Sequence, residues 1–539
     1  MHSFRSMRLG LAVLLLVLSF TVLGSAEPRF GGTLTIGTLS DPDTLNVLQS
    51  NSVTGSWIQN LLYPSLLAMN EDGEKIGYIA TDWGYSEDGL TAWYEIRDDV
   101  YWQNGELLTS EDVKFTAEVT KDHQIGFNAS LLADVVSIST PTPTRVVFEL
   151  EDTYGPFLTS LGFWLRLVPK SEWESVADPK VFTNADPVGA GPFKLVSYED
   201  GQYYRLESVD QWFDSPAGRP YLDEVVYRVY PDINTMVLAL LRGDIDLAAN
   251  PIPPASLDQV RQAANVNTAT TASLGYYYMG FNMQNDDAKP LQDVTVRQAI
   301  ATALNKEMMR NMVMRGQAID VAVAVSPVLG DWHNSDVTSY AYDPEAARQM
   351  LADAGYADTT GDGILNASDG EPLRFRLLYD GGHAILPRVM RIVDEDLQRV
   401  GIAVDHVAVE RNTYLATFRS QDYDIMAGGW GIMDEPADYL YLLYHSSTFG
   451  PDGINRGGVN NPELDVLIDK ARGALDHDEA VEYVHAIQEK LIELMPDIPL
   501  FTETYTFGYR DTFANYGVYP SDLRGMVDPQ SLARVYKTE

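Results

Sequence analysis

Residues 427–440, AGGWGIMDEPADYL, carry the most suggestive side chains of the chain. Two glycines precede Trp430, and the acids Asp434, Glu435 and Asp438 follow it. A core strand favours Val or Ile, whereas glycine weakens a strand and often marks close approach of a ligand or another backbone. The pattern therefore indicates close approach of a ligand or of another backbone, beside an aromatic ring and a group of carboxylates.

A second stretch, DTTGDGILNASD at 358–369, has the spacing of a twelve-residue calcium loop. Such loops place hard oxygen ligands at alternate positions and a glycine at the sharp turn. The ligand positions fall on Asp358, Thr360, Asp362, Ile364 (through its carbonyl), Asn366 and Asp369. Thr and Asp replace the usual residues at the third and twelfth positions, so a modest affinity is expected. Two interpretations stay open, namely a structural calcium ion and an acidic turn that needs no metal. No other cofactor is expected.

Enzyme motifs are not found in the sequence. It contains no GxSxG elbow, no HExxH pair and no P-loop, and its eight histidines are scattered without ligand spacing. Carboxylates are too abundant for a catalytic pair to stand out. We predict that the protein is not an enzyme, and a secreted hydrolase with two catalytic acids is the alternative from a different class.

The first residues are typical of an exported protein. Basic residues precede an apolar run at 9–23, and small residues end at Ala26, which predicts a signal peptide over 1–26. A retained anchor is the alternative, although the run is shorter than the roughly 20 residues of a membrane span. The chain has no cysteine, which excludes disulfides and lipid attachment at a signal-peptide cysteine. We expect a soluble protein of the periplasm or another extracytoplasmic space, and not a lipoprotein.

The composition narrows the class of ligand. The net charge is −39, from 77 acidic and 38 basic residues, which argues against nucleic acid because phosphates need a basic surface. Aromatic residues make up 11% of the chain and include 30 tyrosines. Such a content is typical of a protein that grips ligands with ring faces.

Hydrophobic periodicity predicts helices and strands mixed along the whole chain. Strands are predicted in 29–46, 92–102, 145–150, 188–198, 202–209, 223–231, 275–282, 373–380 and 402–410. Helices are predicted over 109–120, 233–243, 294–313, 343–355 and 385–400. The strand-helix-strand unit over 373–410 implies a mainly parallel sheet covered by helices. The fold class is therefore α/β or α+β, around more than one sheet.

The segment GYYYMGFN at 275–282 is rich in tyrosine. Alternation along a strand places Tyr276 and Tyr278 on one face, with Tyr277 and Met279 on the other. Two interpretations are open. The segment is a buried strand with tyrosines at its rim, or it crosses between two lobes and presents Tyr rings to a cleft.

Seven segments, in order, resemble the family 5 extracellular solute-binding proteins, which are dipeptide, oligopeptide and nickel receptors of ABC importers. The segments are GGTLTIG with DPDTLN, VYWQNGELLTSEDVKFT, VGAGPFKLVSYEDGQ, LLRGDIDLA, FNMQNDDAKPLQDVTVRQAIATALNKEMM, YDPEAARQMLADAGY and GGWGIMDEPADYL. The resemblance covers essentially the whole mature chain. It implies an α/β, two-lobed clamshell of the type II-like class, with an extra subdomain in the first lobe.

The resemblance also implies a division of the chain. Lobe I takes residues 27–275 with an inserted subdomain at about 70–180, lobe II takes 276–500, and 501–539 return to lobe I. The hinge is expected near Tyr276–Asn282 and Leu500–Tyr505. The lobes close over a solute, and the closed form docks on an ABC permease. A solute that contacts both lobes only when they are closed stabilises that state, and no bond is made or broken.

Three solute classes remain open, and a monomer is expected. A peptide-like solute is favoured by the family and by the nearby acids. An oligosaccharide is the alternative, because abundant Tyr and Trp side chains stack on sugar faces. Nickel or a metal chelate is the least favoured class, because the predicted cleft motifs lack neighbouring histidines apart from His445.

By the same resemblance, the Gly-Gly-Trp sequence lies in the cleft. Gly429 and Gly431 would expose backbone to an extended ligand, and Trp430 would stack on it or line a pocket. In peptide-binding members, an aspartate three residues after this Trp binds the ligand's α-amino group. Met433 occupies that position here, and a shift of one residue reverses side-chain direction in an extended chain. Two interpretations stay open. Asp434 binds the α-amino group because a bulge turns its side chain towards the ligand, or this interaction is absent. Further candidate ligand residues are Asp41, Asn46, Tyr276 and Tyr278.

Overall fold

The computed structural model describes residues 28–450, 453–521 and 524–538. The predicted signal peptide at 1–26 lies outside the described residues. The strands up to residue 275 are β1 (Thr33–Thr38), β2 (Leu67–Met69), β3 (Lys75–Gly77), β4 (Ala80–Tyr85), β5 (Thr91–Ile96), β6 (Val135–Thr142), β7 (Arg145–Leu150), β8 (Phe193–Glu199), β9 (Tyr203–Ser208), β10 (Glu224–Val229), β11 (Leu247–Ala248) and β12 (Val266–Ala272). The helices of this part are α1 (Val53–Leu62), α2 (Ser110–Asp122), α3 (Asn128–Leu131), α4 (Phe157–Trp164), α5 (Lys170–Trp173), α6 (Ile233–Arg242) and α7 (Leu257–Gln262).

The remaining strands are β13 (Tyr276–Phe281), β14 (Ala318–Ile319), β15 (Arg374–Asp380), β16 (Ala403–Val409), β17 (Ile425–Trp430), β18 (Asp497–Arg510), β19 (Phe513–Ala514) and β20 (Tyr536–Lys537). The remaining α-helices are α8 (Val294–Ala303), α9 (Lys306–Met308), α10 (Pro344–Asp353), α11 (Leu386–Arg399), α12 (Arg411–Ser420), α13 (Pro436–Tyr444), α14 (Pro462–Gly473), α15 (His477–Leu494) and α16 (Pro529–Arg534). Short 3₁₀ segments cover Asp286–Gln292, Pro327–Trp332 and Ser446–Thr448, and a π turn covers Met309–Val313. None of the described helices is both long and apolar enough to cross a bilayer.

A mixed sheet of twelve strands runs through the molecule in the order β16-β15-β17-β13-β18-β11-β1-β10-β9-β8, and β12 and β14 also pair with β18. β15 pairs in parallel with β16, and β1 with β10, whereas β13 is antiparallel to both β17 and β18. The expectation of a mainly parallel sheet is therefore wrong. The β8-β9 hairpin and the strands that cross the molecule add antiparallel pairs to the parallel ones.

Two segments connect the halves of this sheet. The long strand β18 pairs with β13 through residues 497–501 and with β12 through 504–510. The second connection runs from β12 into β13 through Ser273–Gly275. Each half has its own helices, so the described chain forms two lobes joined by two crossings.

We define the first lobe as residues 28–272 and 504–538, and the second lobe as residues 276–501. The boundaries predicted at 275 and 500 fall beside these crossings. Within the first lobe, β4, β5, β7 and β6 form a separate antiparallel sheet, inside the predicted subdomain at about 70–180. Helix α2 packs on this sheet and begins with a capping box formed by Thr109 and Asp112.

Apolar side chains from the two lobes meet directly. One core cluster combines Met69 and Phe163 of the first lobe with Tyr278, Met433 and Leu440 of the second. All five are buried, and burying such side chains stabilises the contact by about 25 cal/mol for each Å² of apolar surface removed from water. The structure therefore shows the lobes packed against each other.

Most predicted elements are confirmed, and one helix differs. The helix predicted over 294–313 is interrupted after Ala303, and α9 restarts from Asn305. The Asn305 side chain accepts a hydrogen bond from the Met308 backbone at 2.8 Å. Asn competes with the helix for backbone hydrogen bonds, so it favours a cap over a helix interior. The predicted end of α6 at Gly243 is confirmed, with that glycine in a left-handed conformation at φ 85°.

Candidate functional site

Strand β17 brings the Gly-Gly-Trp sequence to the junction of the lobes. Residues Ile425–Gly428 are buried, whereas Gly429 is exposed and Trp430 is half-buried. β13 pairs with the whole of β17 along one edge. Along the other edge, the pairs with β15 end at Met426 among the described strands. The backbone from Gly428 onwards therefore has an edge without a β-ladder partner.

A cavity of about 210 Å³, which we call the hinge cavity, lies beside this backbone. Gly428–Gly431 form part of its wall, and the crossing segments contribute Ser273 and Glu503. A methyl group placed on Gly431 would meet no atom within 4 Å, so this residue faces open space. The hinge cavity is therefore built by the second lobe and the crossing segments, and the first lobe contributes Tyr505 to its wall.

Charged groups of both signs line the hinge cavity. Asp380 ends β15 and Arg411 begins α12, and the Arg411 Nη1 lies 4.0 Å from Asp380 Oδ2. The Arg411 side chain is 59% exposed, so its guanidinium can also receive an anion. His383 lies nearby, and burial lowers its pKa, which favours the neutral imidazole. Sequence reasoning missed all three residues. Their position just after predicted strands could have revealed them, because ligands often bind at the carboxyl ends of parallel strands.

The predicted alternation along β13 is confirmed. Tyr276 and Tyr278 are buried in one core cluster, and Met279 lies in another. The Tyr278 ring stacks on Trp430, with 6.0 Å between ring centroids and 8° between ring planes. Tyr277, on the opposite face, lines the hinge cavity, and Tyr276 also contributes to its wall. Tyr278 therefore supports Trp430 from behind.

Tyr276 belongs to a buried hydrogen-bond network. Its hydroxyl lies 3.4 Å from that of Tyr444, which donates to Asp497 Oδ2 at 2.6 Å. Burial raises the pKa of Asp497 to about 7, whereas the hydrogen bond from Tyr444 acts in the opposite direction and lowers this pKa. This network lies at the start of β18, where that strand is still in the second lobe.

Asp434 forms an ion pair with the first lobe. Lys75 Nζ lies 2.8 Å from Asp434 Oδ2, and the two side chains are 9% and 1% exposed. The ammonium also lies 4.5 Å from the centroid of the Phe163 ring. Asp434 Oδ1 is buried and has no hydrogen-bond partner within the described part of the chain. An ammonium group of the protein itself therefore occupies one side of this carboxylate.

The next two acids also contact the first lobe. Thr159 donates to Glu435 Oε2 at 2.7 Å, and the Tyr154 hydroxyl donates to Asp438 Oδ2 at 2.7 Å. Arg472 donates to the other Asp438 oxygen at 3.2 Å and lies over the Tyr154 ring at 4.6 Å. Burial raises the pKa of Glu435 to about 7. Together with Asp434, these acids join the second lobe to the first, a role that the sequence alone did not indicate.

Asp41 and Asn46 lie elsewhere in the first lobe. Asp41 accepts hydrogen bonds from the Gly201 backbone at 2.9 Å and the Tyr204 hydroxyl at 3.2 Å. Asn46 is buried and donates to the carbonyl of Pro179 at 2.7 Å. Neither residue lines the hinge cavity. Their contribution to solute binding stays a prediction.

The predicted calcium loop is closed by its own hydrogen bonds. Asp358 accepts from the backbones of Gly361 at 2.7 Å and Gly363 at 3.0 Å, and these bonds lower its pKa. Asn366 accepts from Thr359 at 3.2 Å. Backbone bonds of this kind also occupy Asp362 and Asp369. Across the described ranges, no group of three or more His, Cys, Asp or Glu side chains is placed to hold a metal ion. Calcium binding stays a prediction.

Comparisons with known proteins agree on one family. The model for bacterial extracellular solute-binding proteins, family 5 (Middle), matches residues 76–451. The oligopeptide-binding protein AppA of Bacillus subtilis is 30% identical over 510 residues, which cover 93% of this chain and 90% of AppA. The solved structure of AppA in complex with a nonapeptide has a TM-score of 0.73 at 29% identity, and it covers 95% of this chain and 100% of that chain.

A second solved structure, the substrate-binding protein CtaP from Listeria monocytogenes, has a TM-score of 0.81 and covers 95% of this chain and 100% of that chain. At 24% identity this likeness shows the fold, a two-lobed clamshell. The members of the matched family are binding proteins of ABC importers, and the match spans most of both lobes. The chain belongs to family 5 of the bacterial extracellular solute-binding proteins.

Proposed function

We propose that this receptor captures a peptide-like solute at β17 and delivers it to the permease of an ABC importer. The observation that carries the proposal is the uncovered edge at Gly428–Trp430 beside the hinge cavity. An extended peptide can add to such an edge through main-chain hydrogen bonds. Arg411 and the neighbouring acids Asp380 and Glu503 offer charges of both signs to a zwitterionic chain.

An oligosaccharide is the weaker alternative. Its best anchor would be the Trp430 ring, but Tyr278 already stacks on that ring. The relative with the highest identity given above is an oligopeptide-binding protein, which also favours a peptide. We therefore rank the peptide first.

We propose that the bound solute stabilises the closed form of the protein and that the protein does not change the solute chemically. The solute lies between the lobes and contacts both only when they are closed, so it raises the closed population. A ligand shifts this equilibrium only by its difference in affinity for the two states. We propose no turnover of the solute. We also propose that the chain acts as a monomer, exported by the signal peptide at 1–26 without a lipid anchor.

The proposal is tested by purifying the protein without denaturation, unfolding it, and identifying any released small molecule by mass spectrometry. We expect a peptide. A thermal-shift screen of oligopeptides against oligosaccharides gives the second readout, because a ligand of the folded state raises the melting temperature. Stabilisation by oligosaccharides alone, or conversion of any solute by the pure protein, would contradict the proposal.

A further inference from the structure

A larger cavity lies outside the hinge, between the two lobes. This outer cavity has a volume of about 410 Å³, within the range of about 300–1,000 Å³ found for ligand pockets. The first lobe contributes residues 83–87, 155–156 and 158–159, and the second contributes Trp332, Glu435 and the turn between α14 and α15. Because both lobes build it, an occupant of the outer cavity contacts both and favours the closed form.

The walls of the outer cavity combine apolar surface with aromatic rings. Trp83 and Tyr85 come from β4, and Trp332 lies opposite in the second lobe. All three are partly exposed. The Tyr85 hydroxyl is held by the backbone, with 2.9 Å to the Gly155 carbonyl. Rings fixed in this way can present their faces to a cation.

The charged groups that line the outer cavity are mainly acidic. Glu87, Glu435 and Asp476 contribute carboxylates, and no Lys or Arg belongs to the lining among the described residues. The lining histidine, His477, is paired with Asp331 at 2.8 Å. The ammonium that acts on Glu435 is that of Lys75, which is already paired with Asp434.

Glu435 is the buried polar group of this cavity. It is 8% exposed, and Thr159 is its single hydrogen-bond partner within the described part of the chain, through Oε2. No donor of the described chain reaches its Oε1, and this oxygen is not among the fully buried unpaired atoms. A solute cation would supply that donor and form a charge-assisted hydrogen bond. Burial also raises the pKa of Glu435, because it disfavours the charged carboxylate.

We propose that the outer cavity is a second solute subsite, which takes a protonated amine or guanidinium on an apolar stem. In a peptide this group is the side chain of Lys or Arg. The stem would lie between the aromatic walls, and the cation would reach Glu435. This proposal rests on the proposed function, because it assigns a side-chain preference to the same peptide solute.

The chain itself sets the reach between the two cavities. Gly431 lines the hinge cavity and Glu435 lines the outer one. They are four positions apart, and an extended chain spans about 3.3–3.6 Å per residue, so the distance is at most about 14 Å. This distance lies within the span of a peptide of about five residues, and the contact between the lobes at Met433 and Asp434 would have to open for the peptide to reach both cavities.

The test uses alanine hexapeptides that carry one Lys or one norleucine, moved along the sequence and titrated by calorimetry. Norleucine keeps the apolar stem and removes the ammonium. At one position we expect the wild type to bind the Lys peptide at least tenfold more tightly than its norleucine partner. Glu435→Gln, and separately Trp83→Leu in the opposite lobe, should reduce this preference below threefold.

The matched control is Glu482→Gln, which removes an exposed carboxylate of α15 outside the cavity and should keep the full preference. Trp83→Leu keeps the test valid if Glu435→Gln fails to fold. Binding of both peptide series without any Lys preference would overturn this inference alone, and so would a preference that neither variant reduces. Failure of every hexapeptide to bind would overturn the proposed function itself.

Discussion

Lys75 of the first lobe and Asp434 of the second form an ion pair of 2.8 Å whose side chains are 9% and 1% exposed. A buried pair gains little net stability, because removing both charges from water costs about as much as their attraction returns. Removal of one partner, however, leaves an uncompensated charge in the interior. The pair therefore makes closure depend on both side chains, and it exists only while the lobes are in contact.

The first prediction concerns this pair. Lys75→Met should destabilise the closed form by about 3–5 kcal/mol, because Asp434 would be buried without a partner. Opening the lobes relieves this cost by hydrating the carboxylate. Small-angle scattering of the solute-free protein should show a larger radius of gyration than in the wild type, and solute affinity should fall.

Lys114→Met is the control for this change, since Lys114 lies on α2 and forms an ion pair with Glu118 of the same helix. It should leave the radius of gyration unchanged. The double variant with Lys75→Met and Asp434→Leu removes both charges and should restore much of the closed population. Equal scattering and equal affinity in wild type and Lys75→Met would show that the pair has no part in closure.

The second prediction concerns Trp430. Trp430→Ala should preserve the fold and weaken solute binding by a few kcal/mol, since a stacked aromatic in a cleft is typical of binding hot spots. Titration calorimetry together with a thermal melt separates the two effects. Trp93→Ala is the control, because Trp93 lies on β5 and packs against Arg145, outside both cavities. Unchanged affinity in Trp430→Ala would assign this ring to the core.

The third prediction is a pH dependence. Burial raises the pKa of Glu435 from 4.5 in the unfolded chain to about 7 in the folded one. The folded state therefore holds a proton that the unfolded state releases, so the free energy of unfolding falls as the pH rises from about 5 to 7. One such group contributes at most about 1.4 kcal/mol per pH unit. The charged groups that act on Glu435 are Lys75, Asp434 and Asp438.

Glu435→Gln tests this dependence, because the amide stays neutral throughout. Urea unfolding between pH 5 and 8 should show a smaller loss of stability in the variant than in the wild type. Asp497→Asn should act in the same direction, since burial also raises the pKa of Asp497 to about 7. Parallel curves for wild type and both variants would contradict the prediction.

The fourth prediction concerns the loop at 358–369. If calcium fills it, excess calcium stabilises the folded chain by about 2.7 kcal/mol at a hundred times its dissociation constant, and a chelator removes this gain. Asp362→Ala should abolish the response, because it removes one oxygen ligand. Asp258→Ala, on helix α7 of the other lobe, should keep it. A melting temperature that neither calcium nor chelator changes would leave the loop as a metal-free turn.

Sequence patterns were sufficient to predict those elements in which apolar side chains alternate, or recur at a regular period, over the whole length. β13 is an example, because its tyrosines could be assigned to faces from period two alone. The break after Ala303 could not be read from apolar periodicity, which continues across it. The cap at Asn305 decided that boundary through one side-chain hydrogen bond.

The site was predictable only in part. The glycines around Trp430 pointed to an approachable backbone from local sequence, and the strand edge agrees with that interpretation. The sequence could not reveal which residues pair with the acids after Trp430, because Lys75 and Asp434 are 359 positions apart. Contacts of this kind depend on how the lobes meet, and no local pattern encodes them.

The central claim is that a peptide binds along β17, and one calorimetric comparison tests it most directly. Oligopeptides are titrated into the wild type and into Gly431→Val, which adds a side chain to open space at the cavity wall. Ala352→Val, at an exposed position of α10, is the control. We predict saturable peptide binding in the wild type and the control, and its loss in Gly431→Val. Equal peptide binding in all three proteins, or saturable binding of oligosaccharides instead, would contradict the account.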